Sequence, residues 1–310
     1  MPTQKAKPSA RRAKNWVIAI DPFAGADLRE IVDLSHRLTK TAGNQLNAAY
    51  ILAPASLNWT GEFSGPWRKK YEPVAQARLT ELLPDTAITK SIVHCKNPGI
   101  RAAVQALLAH AKKLKANGIV LSTHARTGLE RLAMGSFAET VILTSPIPVL
   151  VLNPSHNLPK TVRKILVPTD LSKKNEKFTL SIADYAQGIG ADILLYHKEI
   201  DPLDPMIQQG VYSLGGGWVS MQEFMDEDRE AKEKQLLKLE SQIRTRKVKV
   251  SHVIDSSPGG LVDTIEKAAK DHQADMIAVL TQAGTWSAAL LGSVARSLVR
   301  TASVPVLVQR

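Results

Sequence analysis

The residues best suited to chemistry sit in a turn that the chain contains twice. Ser122-Thr-His-Ala-Arg-Thr-Gly-Leu-Glu-Arg-Leu-Ala-Met-Gly-Ser136 leads into Pro148-Val-Leu-Val-Leu152. Leu280-Thr-Gln-Ala-Gly-Thr-Trp-Ser-Ala-Ala-Leu-Leu-Gly-Ser293 leads into Pro305-Val-Leu-Val-Gln309. Gly135 and Gly292 are roughly 157 residues apart, as are Pro148 and Pro305, a spacing of about one ordinary domain. Each copy joins a strand-like run to a turn of small residues and then to a helix. Such a turn offers backbone N–H groups and a helix N-terminus to an anion, so each copy is a candidate phosphate cradle. The plainer alternative is that Gly-Ser only starts a helix, with the serine as its N-cap.

No second constellation of this kind stands out. His94, His110, His124, His252 and His272 lack metal-ligand spacing, and no Gly-x-Ser-x-Gly elbow occurs. No catalytic residue and no metal ligand is therefore assigned. His94 and His252 fall on equivalent strands and are read as solvent-facing or interface positions. The run from Asp226 to Lys238 carries opposite charges near i,i+4 spacing and reads as a solvated helix face. Cys95, the single cysteine, excludes a disulfide framework. It lies in the alternating run Ile92-Val-His-Cys-Lys96 and reads as a buried strand thiol.

The elements that must position the turns follow one order in both copies. Asn15-Trp-Val-Ile-Ala-Ile-Asp21 is a continuous apolar run ending in an acid, as buried parallel strands often are. Helical spacing of Leu28, Ile31, Val32, Leu34 and Leu38 is closed by Gly43. A strand over 46–52, a helix around 74–83 and a strand over 88–96 come next. Asn97-Pro-Gly99 opens a helix to about Ala116, and a strand over 118–122 precedes the turn. A helix over 137–144 and a strand over 149–152 finish the copy. The second copy opens with Lys164-Ile-Leu-Val-Pro-Thr-Asp170. It continues with a helix over 175–190, a strand over 191–197, a charged helix over roughly 225–246 and a strand over 248–254. Ser257-Pro-Gly-Gly260 opens the next helix, a strand over 276–280 precedes the turn, and a helix from Ser293 and a strand over 304–308 end it.

Strands alternating with helices imply parallel pairing with helices on both faces. The expected fold is α/β: two tandem, doubly wound, parallel five-stranded sheets of Rossmann-like build. The expected organisation is a tail over 1–14, domains over 15–154 and 164–310, and a linker over 155–163. In such a sheet a ligand sits at the carboxyl ends of the strands, beside the switch point. Asp21, Asp170 and both turns belong there.

Composition bounds what remains. The chain has 310 residues, 44% of them hydrophobic and 22% charged, enough for two buried cores. The net charge of +11 includes Lys5, Lys7, Arg11, Arg12 and Lys14 in an acid-free segment, read as a disordered tail able to touch polyanions weakly. Without aromatics interleaved among the other charges, no specific nucleic-acid partner is expected. No apolar stretch reaches the roughly 18 residues of a membrane span, so no membrane partner is expected and the expected location is cytoplasmic.

The repeat, the Pro-Gly helix starts at Pro98 and Pro258, and Ile165-Leu-Val-Pro-Thr-Asp-Leu-Ser172 together resemble a tandem universal stress protein over everything after the tail. In the ATP-binding branch of that family the turn reads Gly-x2-Gly-x9-Gly-Ser. The resemblance places Gly135 and Ser136 on its last two positions and Ser122 and Ala125 on its first two. Ala125 adds a methyl group where a phosphate must approach, and Arg126 and Thr127 could compensate by contacting phosphate oxygens. The second copy keeps Gly292 and Ser293, but with Thr281-Gln-Ala283 aligned to Thr123-His-Ala125 its loop is one residue shorter. Ala283 and Gly284 stand there without a base like Arg126, Leu280 replaces a small residue, and Trp286 would partly fill the ligand space. The resemblance also sets Asp21 and Asp170 beside adenine or ribose. Read from the residues alone, each acid either caps the following segment or is solvated at a strand end.

What the resemblance implies is a non-enzymatic stress-response module. Adenine nucleotide, ATP or AMP, would bind in the first copy, with Mg2+ only if ATP is bound, and the second copy would hold a degenerate site. It also implies an intrachain pseudo-dimer paired through Val149–Leu152 and Val306–Val308, and leaves room for a further homodimer. The rivals are a slow ATPase or other nucleotide-dependent enzyme, and a nucleotide-free scaffold using the long connections 53–72 and 200–225.

Overall fold

The computed structural model describes residues 15–23, 28–53, 65–122, 136–153, 158–199, 221–281 and 288–310. The N-terminal half runs β1 (Asn15–Ala19), α1 (Arg29–Thr41), β2 (Gln45–Leu52), α2 (Gly65–Leu82), β3 (Thr89–His94), α3 (Ile100–Lys113), β4 (Ala116–Ser122), α4 (Ser136–Thr144) and β5 (Val149–Leu152). The C-terminal half runs β6 (Lys164–Pro168), α5 (Lys173–Ile189), β7 (Asp192–Lys198), α6 (Met221–Arg244), β8 (Val250–Asp255), α7 (Leu261–Asp271), β9 (Met276–Leu280), α8 (Ala288–Thr301) and β10 (Val306–Gln309).

Each half contributes five parallel strands, and the two sets join into one ten-stranded sheet of order β3-β2-β1-β4-β5-β10-β9-β6-β7-β8. The join is the single antiparallel step, with Val306 opposite Val151, Leu307 opposite Leu150 and Val308 opposite Val149. Those are the edges expected to meet. Pairing them removes two apolar strand edges from solvent.

Alternation along the strands loads both faces. Ile18, Leu46, Val120, Leu150, Ile165 and Leu307 face one layer with α1, α2, α5 and α6. Val17, Ile119, Val149, Leu166, Ile277 and Val306 face the other, with α3, α4, α7 and α8. In α1 the spacing of Ile31, Leu34, Ser35 and Leu38 produces one buried stripe. Leu34 and Leu107 are fully buried, so each layer has a dry centre.

Two glycines are required by geometry. Gly99 precedes α3 with φ of 103°, a conformation that side chains with a Cβ avoid. Gly118 lies beneath the Trp16 ring, where an added Cβ would meet ring carbons at 2.5 Å. Trp16 in turn packs against Tyr185 of the C-terminal half, with ring centroids 5.8 Å apart.

Several elements differ from their sequence-based bounds. α2 starts at Gly65 and carries Pro73 inside it, so part of the expected long connection 53–72 is helical. α6 starts at Met221, within the expected connection 200–225. α8 starts at Ala288 rather than Ser293. Residues 54–64 and 200–220 lie outside the described residues.

Candidate site at the carboxyl ends of the strands

The chain leaves β1 in one direction through β2 and β3 and returns on its other side as β4 and β5. The switch point therefore lies between β1 and β4, and its counterpart lies between β6 and β9. In open α/β sheets the connections diverge at such a switch point, and ligands bind in the crevice at the carboxyl ends of the strands. Asp21 follows β1, and Ser122 is the last residue of β4. Register pairs Ile18 with Val120, so both side chains belong to the same end of adjacent strands.

Asp21 is exposed, and its Oδ1 accepts the Phe23 N–H at 3.0 Å. Phe23 in turn lies against Tyr50 and Tyr71, with centroids 5.9 and 5.3 Å away. Burial pushes the Tyr71 phenol up, the Asp21 charge pushes it further, and a hydrogen bond with Tyr50 opposes both. This aromatic group was not singled out from the sequence. Its members come from three elements, and only the fold unites them.

Ser136 begins α4 and is exposed. The segment between Ser122 and Ser136, with Ala125, Arg126, Thr127 and Gly135, lies outside the described residues. Ala283, Gly284 and Trp286 do too. Gly292 and Ser293 fall inside α8, beyond its first turn. Backbone N–H groups at such positions are directed to carbonyls of the preceding turn. Leu280 is buried as the last residue of β9, and Val120 is fully buried in the sheet.

The C-terminal half repeats the aspartate turn with tighter geometry. Asp170 Oδ1 accepts the Ser172 N–H at 3.0 Å, and Ser172 Oγ accepts the Asn175 N–H at 3.2 Å to cap α5. Both acids thus organise their own turns, as the reading from residues alone allowed. Asp170 Oδ2 is different: it is buried without a hydrogen-bond partner among the described residues.

Beside it, His197 Nδ1 lies 2.8 Å from the Thr169 carbonyl. A carbonyl only accepts, so Nδ1 carries the proton. Burial lowers the His197 pKa from its ordinary 6.5; the Thr169 carbonyl opposes that, Lys232 adds to it, and Asp228 and Glu199 oppose it. Arg229 Nε lies 3.6 Å from Glu199 Oε1. On the opposite face Tyr196 Oη donates to Asp255 Oδ2 at 2.6 Å, and the Ser257 N–H donates to Asp255 Oδ1 at 2.8 Å. Burial would raise the Asp255 pKa, but hydrogen bonds from Ser257 and Tyr196 and the Lys198 charge hold it below the usual value. Along β7, His197 is in phase with Ile193 and Leu195, which face the α5–α6 layer.

His94 and His252 are partly buried, with side chains 24% and 16% exposed. His94 Nε2 lies 3.2 Å from Glu72 Oε1 on α2. His252 Nδ1 and Nε2 lie 2.7 and 3.1 Å from Glu240 and Glu233 on α6. Each histidine fastens an outer strand to the helix above it. Among the described residues, no group of three or more His, Cys, Asp or Glu converges to hold a metal ion.

A model of the universal stress protein family matches residues 14–153 and again 161–310. The chain belongs to the universal stress protein family. A universal stress protein from Archaeoglobus fulgidus DSM 4304 is similar over 96% of this chain and 96% of its own, with a TM-score of 0.64 and 14% identity. A functionally unknown protein from Pseudomonas aeruginosa PAO1 is similar over 96% of this chain and 92% of its own, with a TM-score of 0.57 and 15% identity. A second Archaeoglobus fulgidus universal stress protein, solved in complex with dAMP, aligns with 48% of this chain and 98% of its own at 19% identity and a TM-score of 0.33. No curated protein matches the sequence. This universal stress protein is a tandem one, and no described helix is long and apolar enough to cross a membrane.

Proposed function

We propose that the N-terminal half binds an adenine nucleotide, ATP or AMP, and that the chain serves as a non-enzymatic, cytoplasmic stress-response module. The observation that carries this reading is the switch point between β1 and β4, with Asp21 and Ser122 at its two strand ends and α4 starting at Ser136. In this reading Asp21 meets the base or ribose. Ser122, Ala125, Arg126, Thr127, Gly135 and Ser136 form the phosphate end. Mg2+ enters only with ATP. The working units are domains 15–154 and 164–310, with 155–163 as linker and 1–14 as a basic tail.

One observation favours a second reading, in which the C-terminal half also takes a ligand. Asp170 Oδ2, buried without a hydrogen-bond partner among the described residues, suits a hydroxyl or amine donor. The helical placement of Gly292 and Ser293 leaves fewer amides for a phosphate beside Ala283 and Gly284, which fits a degenerate site. An ATPase would need a positioned base or metal near the phosphates.

Isothermal titration with ATP and with AMP tests the proposal. Binding is expected in the wild type, with about a ten- to hundredfold loss in Ser136→Ala/Arg126→Ala, as removal of charge-assisted phosphate contacts costs. No heat and no thermal shift at millimolar nucleotide would overturn it. Steady phosphate release abolished by the same double variant would establish the enzymatic rival instead.

A further inference from the structure

The seam between the halves is nearly symmetric in its main chain. Leu150 lies opposite Leu307, flanked by Val149 against Val308 and Val151 against Val306. Leu307 is also the repeat counterpart of Leu150, roughly 157 residues further along. A local twofold axis therefore passes between these two leucines. With Val-Leu-Val on both strands, either edge would pair equally well with a second copy of itself. The backbone cannot choose the partner.

Side chains beside the seam are not symmetric. On the α4–α8 face, Arg296 Nη1 lies 3.6 Å from Glu139 Oε1. These two residues are counterparts, since Glu139 stands three after Ser136 and Arg296 three after Ser293. If two N-terminal halves met across the same axis, Glu139 would face Glu139 of the other copy. Two C-terminal halves would set Arg296 against Arg296. The opposite face carries an independent asymmetry. Trp16 reaches Tyr185 across the halves because its ring lies over Gly118, whereas Ile165 and Met276 are the C-terminal counterparts.

We propose that the Glu139–Arg296 pair makes this seam selective. The β5 edge accepts a partner with a cation at the counterpart position, which is the C-terminal half of the same chain, and rejects the N-terminal half of a second copy. The tether favours intrachain pairing through effective concentration, and it does so equally in every charge variant. Comparison of each single reversal with the exchange of both charges isolates the charge pair.

The local axis supplies a reporter. In full-length protein carrying Leu150→Cys and Cys95→Ser, pairing of two N-terminal halves brings the two introduced thiols directly opposite each other. Directly opposed antiparallel residues have Cα atoms about 4.5–5.5 Å apart, which a disulfide can span. The reporter is unfolded, refolded under oxidising conditions at fixed concentration, and scored for disulfide-linked dimer by non-reducing electrophoresis. Adding Arg296→Glu or Glu139→Arg makes intrachain and copy-to-copy pairing equally repulsive. The dimer fraction is expected to rise about three- to tenfold, the scale of converting an attractive surface pair into a like-charge pair. Adding both substitutions restores opposite charges and is expected to return the fraction to the reporter's own level. An unchanged fraction in the single reversals, or no return in the exchange, overturns the proposal. If a reversal lacks a cooperative thermal transition, Arg296→Gln is used, with about a twofold rise expected and no rise counting against the pair.

Discussion

The imidazole of His197 is held in its neutral form by the place it occupies. Its Nδ1 proton is committed to the Thr169 carbonyl, and burial lowers its pKa from 6.5. The unfolded chain takes up a proton near that ordinary value, so below about pH 6.5 it binds more protons than the folded protein. Stability therefore falls as pH drops through 6.5 and levels off once the folded pKa has been passed. His110, lowered by burial and by Lys113, adds a loss of the same sign. In His197→Gln the fall in melting temperature between about pH 8 and about pH 5 should be smaller than in the wild type. An equal fall in both proteins, read by thermal scans across pH, would show that this group contributes nothing.

At the scale of elements, α6 is secured to the outer strand β8 by buried charge. Glu240, 3% exposed, receives His252 Nδ1 at 2.7 Å and Arg244 Nη2 at 2.5 Å. Removing it leaves His252 without one of its two carboxylates, so Glu240→Ala is expected to cost about 1–3 kcal/mol in denaturant unfolding. Glu230→Ala, on the exposed face of the same helix, should stay within about 0.5 kcal/mol. The sequence carried the alternation of elements because buried parallel strands and one-sided helices leave distinct periods. It placed Asp21 and Asp170 after the first strand of each half, because a continuous apolar run ending in an acid reads as a buried parallel strand. It misplaced the start of α2, since a proline such as Pro73 ordinarily ends a helix, and here the helix continues through it. It also started α8 late by treating Gly292 as a boundary. An interior glycine costs only about 1 kcal/mol, and the preceding Ala288-Ala-Leu-Leu291 favours helix. The cluster around Thr169, His197 and Glu199 and the clasps of His94 and His252 stayed hidden, because each depends on segments that only tertiary structure brings together.

For the whole molecule, the β5–β10 seam converts two five-stranded sheets into one body. Helices α1 and α5 pack beside it on one face, and Arg296 meets Glu139 on the other. Leu150 is 1% exposed at its centre. Leu150→Asp would bury an unpaired carboxylate there and is expected to cost more than about 3 kcal/mol. Calorimetry is expected to resolve two transitions in the variant and one in the wild type, and a single unbroken transition in the variant would deny the seam that role.

The same seam has a consequence during synthesis. Strand β5 leaves the ribosome roughly 157 residues before the strand that will cover it, an interval of about 8–30 s at ordinary elongation rates. Throughout that time the nascent chain carries a completed half with an open, greasy Val-Leu-Val margin. Chaperone demand should therefore peak midway through translation, and codon changes that stall elongation between the two strands should raise the insoluble fraction without altering a single amino acid.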